Sequence, residues 1–212
     1  MPEGHFFVFE GIDGVGKTTQ RRRFVAWLEA QGYSVVTCRD PGETKLGESL
    51  RKLLLHADQT PISGRAEMLL YLAARAQLVH EVIAPARRTG HTVVSDRFHL
   101  STLAYQVHAR GWDVEAVRPV VTFANGGCQP DLVFLLDMDP AAAAARRHRP
   151  DDRIEARGLE YLQKVRAGFL AEAERDPDHV AIIDASGTEE EVWSAVVQAV
   201  QRVLSPRPEG QG

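Results

Sequence analysis

The residues best suited to chemistry lie close together near the start of the chain. Gly11, Ile12, Asp13, Gly14, Val15, Gly16, Lys17 and Thr18 have the spacing G-x-x-x-x-G-K-[ST], and Thr19 is next. Glycines at these places let the backbone curl until its N–H groups converge on one point, where an anion also meets the positive end of the next helix. Lys17 would neutralise β- and γ-phosphate oxygens, and Thr18 would offer a hydroxyl to Mg²⁺. A lysine in a first helical turn opposes the macrodipole, so without a bound anion its place is unfavourable.

Such a loop needs a strand before it and a helix after it. Short β-branched or aromatic runs recur at residues 5–10, 34–39, 91–96, 132–137 and 180–184, with helical periodicity between them. Phe6-Phe7-Val8-Phe9 and Leu132-Val133-Phe134-Leu135-Leu136 are unbroken apolar runs, as expected of strands covered on both faces. The pattern predicts an α/β fold of the P-loop NTPase type: a doubly wound, parallel, five-stranded sheet with helices on both faces. Gly32 comes after a helix expected over 18–31 and can serve as its stop, while Thr188 and Glu191 form a capping-box pattern. In the last helix Val192, Ala195, Val196, Ala199, Val200 and Val203 share one face, which should pack on the sheet.

With 212 residues, 44% of them hydrophobic, the chain suits one shared core, so residues 1–204 are expected to form a single domain. The tail 205–212, rich in Pro and Gly, should fray. A net charge of −4 argues against nucleic acid or an anionic membrane as partner, and the run Arg21-Arg22-Arg23 is expected on a solvated helix face. Cys38 and Cys128 are too few for a disulfide framework or a zinc ribbon. No signal-peptide pattern and no membrane-length apolar run is present, so the expected location is the cytoplasm.

A phosphate loop alone allows a GTPase, a motor ATPase or a kinase. The guanine-reading motif N-K-x-D is absent, since the sole asparagine, Asn125, precedes Gly126. From Phe9 to about Asp184 the chain resembles the thymidylate kinase family. The resemblance is carried by Phe9-Glu10-Gly11 with the phosphate loop, by Arg39-Asp40-Pro41-Gly42, and by Leu46-Gly47-Glu48-Ser49-Leu50-Arg51. Further along it is carried by Tyr71-Leu72-Ala73-Ala74-Arg75-Ala76-Gln77, Asp96-Arg97-Phe98, Ser101-Thr102-Leu103-Ala104-Tyr105-Gln106 and Asp152-Arg153-Ile154-Glu155. It implies Mg²⁺-dependent transfer of the ATP γ-phosphoryl group to thymidine monophosphate, and a homodimer.

The resemblance also implies roles for single residues. Asp13 receives the 3′-hydroxyl of the acceptor, Arg97 and Arg51 hold its phosphate, and Asp96 lies near Mg²⁺ through water. Tyr71 stacks on the base, Arg75 bonds its O4, and Thr102, Tyr105 and Gln106 surround base and sugar. Tyr105 would crowd a 2′-hydroxyl and so favour deoxyribose, while Asp40 and Pro41 contact the acceptor. Residues 146–157 form a lid, and because Gly14 leaves the phosphate loop without an arginine, Arg149 and Arg153 become the candidates to stabilise the phosphoryl group in flight. Glu43 stands where the family has glycine; a left-handed turn there costs about 1 kcal/mol, so loop 39–44 is expected to differ in shape. The rival readings are a deoxynucleoside kinase, which needs a carboxylate base and no second phosphate clamp, and a nucleotide switch that transfers nothing.

Overall fold

The computed structural model describes residues 3–56, 61–147 and 153–204. Its strands are β1 (Phe6–Glu10), β2 (Val35–Arg39), β3 (Thr92–Asp96), β4 (Leu132–Asp137) and β5 (Val180–Asp184). All pair in parallel, in the order β2-β3-β1-β4-β5. The helices are α1 (Lys17–Ala30), α2 (Lys45–His56), α3 (Gly64–Leu78), α4 (Ala84–Arg88), α5 (His99–Ser101), α6 (Val114–Ala124), α7 (Pro140–Ala145), α8 (Leu159–Arg175) and α9 (Glu189–Leu204). The expected α/β architecture is the one observed.

Alternation along β1 shows why its run of apolar residues is continuous. Phe7 and Phe9 point to one face, where Phe24 of α1 meets both rings and Phe134 of β4, whereas Phe6 points to the other and packs edge-on against Phe98. Helices α1 and α9 cover the first face, and α8 covers the second with the segment after α5. Each of these rings is fully buried.

The expected caps form. Gly32, at φ 88°, lies just past the C-terminus of α1, and the N–H of Tyr33 reaches back to the Leu28 carbonyl. Glu191 accepts from the N–H of Thr188, and the Thr188 hydroxyl accepts from the Glu191 N–H, closing the capping box of α9. Val192, Val196, Ala199 and Val200 are buried, as the periodicity requires. Arg23 reaches Glu189 and Glu190 of α9 and lies over Trp193, so part of the arginine run ties two helices together.

Two local shapes differ from the sequence expectation. After α5 the chain continues as a π-helical turn, Thr102–Val107, all six residues buried, instead of an ordinary helix. A glutamate at position 43 argues against a left-handed turn there, yet Glu43 adopts φ 64°. Glu48 Oε1 accepts the N–H of Glu43 at 3.0 Å and the Thr44 N–H reaches the Gly42 carbonyl at 2.9 Å; together they hold the residue against its steric preference.

Candidate active site

Parallel strands align their C-terminal ends, and three of them deliver the site. The phosphate loop comes directly after β1, Asp40 directly after β2, and Asp96 ends β3 with Arg97 next. A cavity of about 630 Å³ opens there. A second cavity of about 790 Å³, at the opposite strand ends beside Arg87 and Asp131, contains none of the candidate catalytic or binding residues.

At the phosphate end, Lys17 Nζ donates to the carbonyls of Gly11 and Ile12, both at 2.9 Å, and to Asp13 Oδ1 at 3.1 Å. Arg97 comes from the other side, donating to the same Asp13 oxygen at 2.6 Å, to the Gly11 carbonyl at 2.9 Å and to the Ser101 hydroxyl at 3.0 Å. Burial pushes the Asp13 carboxyl up, but Arg97 and Lys17 override it and hold it well below the usual range. Burial and the charge of Arg97 lower the Lys17 ammonium. Gly14, Gly16, Thr18, Thr19 and Asp96 line the cavity here, while Gly11, Ile12 and Val15 shape the loop behind it.

Arg97 is itself a strained residue, at φ 69°. Its N–H is held by the Phe9 carbonyl at 2.9 Å, and Glu10 fixes the adjoining turn by accepting from the N–H groups of Phe98 and Ser101 and from the Ser101 hydroxyl. Burial drives the Glu10 pKa up, opposed by Arg97 and these bonds. No motif chemistry points to Glu10 or Ser101 as supports; a charged residue ending an all-apolar strand is the available signal.

At the other end of the cavity, Arg75 is 1% exposed and pairs with Asp40 at 2.6 Å. Its Nη2 donates to the Phe98 carbonyl at 2.9 Å and to the Thr102 hydroxyl at 2.8 Å, and its guanidinium lies 5.2 Å from the Phe98 ring centroid. Nη1 of Arg75 and Oδ1 of Asp40 are buried without a hydrogen-bond partner among the described residues. Burial raises the Asp40 pKa, and Arg75 opposes it. Breaking such a pair on one side costs about 3–5 kcal/mol, so Asp40 orients Arg75 as well as facing the cavity. Tyr71, Tyr105 and Gln106 line the same end, with Arg97 stacked 5.3 Å from the Tyr105 ring centroid. Pro41 lines it too, and its carbonyl accepts from Arg51 at 3.0 Å.

The lid candidates separate. Arg149 and Asp152 lie outside the described residues. Arg153, expected over the phosphates, is not among the described residues lining the cavity; it donates to the Leu54 carbonyl and to Glu67, both at 2.7 Å. Arg146 and Arg147 line the cavity instead, as does Ile154. The end of α7 is therefore the described part of the lid region that meets the phosphate loop.

Comparison with known proteins gives the family. A sequence model of the thymidylate kinase family matches residues 9–196. The chain is 45% identical over 204 residues to a thymidylate kinase of Bifidobacterium longum subsp. infantis, covering 95% of this chain and 88% of that protein. It is also 45% identical to one from Synechococcus sp. (strain JA-3-3Ab), covering 96% of this chain and all of that protein, and 43% identical to one from Desulforudis audaxviator, covering 97% and 94%. With a parallel sheet that sets a phosphate loop, an Asp-Arg pair and a buried Arg75 around one cavity, and with these relatives along nearly its whole length, the chain belongs to the thymidylate kinase family.

Proposed function

We propose that the cavity at the ends of β1, β2 and β3 is where this chain transfers the γ-phosphoryl group of ATP to thymidine monophosphate, giving thymidine diphosphate. The observation that carries the assignment is the division of one cavity into two ends. One holds Lys17, Asp13 and Arg97; the other holds Arg75, Tyr71 and Gln106.

ATP lays its β- and γ-phosphates in the loop 11–19, where Lys17 exchanges carbonyl partners for phosphate oxygens. The acceptor phosphate lies between Arg97 and Arg51, its sugar 3′-hydroxyl at Asp13 and its base on Tyr71 beside Arg75. An oxygen of the acceptor phosphate attacks the γ-phosphorus as the bond to the β-phosphate oxygen breaks, and ADP leaves. The attacking oxygen is already anionic at neutral pH, so no base is required. Catalysis is alignment and charge neutralisation.

Thr18 and Asp96 both line the cavity. Among the described residues no group of three or more His, Cys, Asp or Glu side chains could cage a metal. One or two protein oxygens with water and phosphates is the donor set that suits Mg²⁺, so Thr18 and, through water, Asp96 would hold it. Held there, Mg²⁺ would supply positive charge against the developing charge of the phosphates.

We read residues 1–204 as one domain working in the cytoplasm, with 146–157 as its lid. The homodimer has support in an uncovered apolar face: Phe123 is 87% exposed, and Val120 beside it on α6 and Leu69 on the adjoining α3 are exposed too. Both cysteines are unpaired, and no helix among the described residues is long and apolar enough to cross a membrane.

A coupled ADP-release assay across nucleoside monophosphates tests the assignment. Thymidine monophosphate should be turned over best, with deoxyuridine monophosphate intermediate, because one methyl in a pocket is worth about 1–3 kcal/mol. A purine monophosphate as best substrate would overturn it, and phosphorylation of thymidine rather than its monophosphate would favour a nucleoside kinase.

A further inference from the structure

Glu67 of α3 has no exposed side-chain surface. Its Oε2 accepts from Arg153 at 2.7 Å and Arg157 at 2.5 Å; its Oε1 accepts from Arg110 at 3.0 Å and from Gln106 Nε2 at 3.5 Å. Burial pushes its carboxyl up, yet Arg157 and Arg110 prevail and hold it below the usual range. An ionised carboxylate can only accept. Gln106 must therefore turn its NH₂ toward Glu67, since the opposite orientation would set two oxygens against each other in a buried site. What Gln106 keeps for the cavity it lines is its carbonyl oxygen, which accepts no hydrogen bond from a described residue.

Thr102 and Gln106 are about one π-turn apart and share a side of that segment, and Thr102 is bonded to Arg75. The base end of the cavity thus offers a donor in Arg75 and an acceptor in Gln106. Thymine presents the complement, an acceptor at O4 and a donor at N3–H. Cytosine presents the reverse, an N4 amino donor and an unprotonated N3.

Resting on the acceptor site assigned above, we propose that Glu67 is a positioning residue that sets base specificity by fixing the polarity of the Gln106 amide. It does so without touching the substrate. Its strong pairs with three arginines keep it ionised and immobile, so the amide has one allowed orientation.

The test compares kcat/KM for thymidine monophosphate and deoxycytidine monophosphate in the wild type, Glu67→Gln, Glu67→Asp, Gln106→Met and the Glu67→Asp/Gln106→Met pair. Glu67→Gln supplies an NH₂ of its own and permits Gln106 to turn over. Glu67→Asp keeps the charge for the arginines while withdrawing from Gln106, and serves if the first variant does not fold. Each should lower the thymidine-to-deoxycytidine ratio roughly tenfold or more. Gln106→Met should lower it likewise, and adding Glu67→Asp should change it no further. A ratio held at the wild-type value in Glu67→Asp, even with both rates reduced, would overturn the proposal, as would a further tenfold fall in the pair. Failure of the wild type to phosphorylate thymidine monophosphate would instead remove the acceptor-site assignment.

Discussion

A Cβ on Gly14 would stand 2.1 Å from the carbonyl oxygen of Ala143, because the end of α7 rests directly on the phosphate loop. Gly14 also holds φ 100°, a conformation that side chains disfavour. The loop therefore has no room for an arginine of its own, and the chain that displaces it brings Arg147, whose Cγ would be 3.2 Å from the same Cβ. Gly14→Arg should lower stability by about 1–3 kcal/mol and reduce ATP affinity, since α7 must move. It should not restore kcat to a variant whose lid arginines are alanine. Thermal midpoints and steady-state kinetics check both, and a rescued kcat would show that α7 yields easily.

The lid arginines should differ in kind. Arg147→Ala and Arg149→Ala should act on kcat, by up to the roughly 10³–10⁵ typical of arginine fingers, with little change in acceptor KM. Arg153 is engaged by Glu67 and the Leu54 carbonyl. Its alanine variant should lose about tenfold in kcat together with a lower melting temperature, as a fastener of the lid base would. A loss in the arginine-finger range at unchanged stability would mean that Arg153 leaves Glu67 to meet the phosphoryl group.

Asp13 joins the two cations of the phosphate end and is assigned the acceptor 3′-hydroxyl. Asp13→Ala should slow transfer strongly while leaving ATP binding nearly intact. The loss should be smaller on an acceptor lacking the 3′-hydroxyl, and equal losses on the two acceptors would remove that contact.

Tyr105 is buried beneath Arg97. Only its ring is needed to crowd a 2′-hydroxyl, so Tyr105→Phe should keep the preference for deoxyribose and Tyr105→Ala should narrow it. Turnover of thymidine and ribothymidine monophosphates measures the ratio; no change in the alanine variant would move discrimination elsewhere.

Acid should weaken the Glu67 anchor. Burial opposes its ionisation, but the arginines leave its folded-state pKa lowered. In the unfolded chain it binds a proton first, near the ordinary value of about 4.3, so its contribution is complete above that pH and is lost as pH falls through the lower folded value. Glu10 and Asp40, raised by burial, act in the opposite sense. Urea midpoints from about pH 7 down to about pH 3 should therefore fall less steeply for Glu67→Gln than for the wild type. Parallel curves would mean that Glu67 does not titrate in that window.

Much of this molecule is legible from sequence because its signals are local. Each strand carries its own apolar run, the phosphate loop occupies eight consecutive residues, and the capping box spans four. Backbone geometry and short-range hydrogen bonds are enough to decide such features. The left-handed turn at Glu43 goes against its local preference, and bonds from Glu48 and Gly42 override a penalty of about 1 kcal/mol. Arg97 adopts a similar conformation because Phe9 and Glu10 hold its surroundings from the neighbouring strand. The family resemblance points Arg153 toward the phosphates, yet its guanidinium is fixed by Glu67, 86 positions away. Long flexible cations take their partner from whatever carboxylate the fold brings within reach, and that pairing is decided by packing. The residue types proposed for the chemistry are written in the sequence, but the partners that aim them exist only once α3, α7 and the segment after α5 have closed around the ends of the strands.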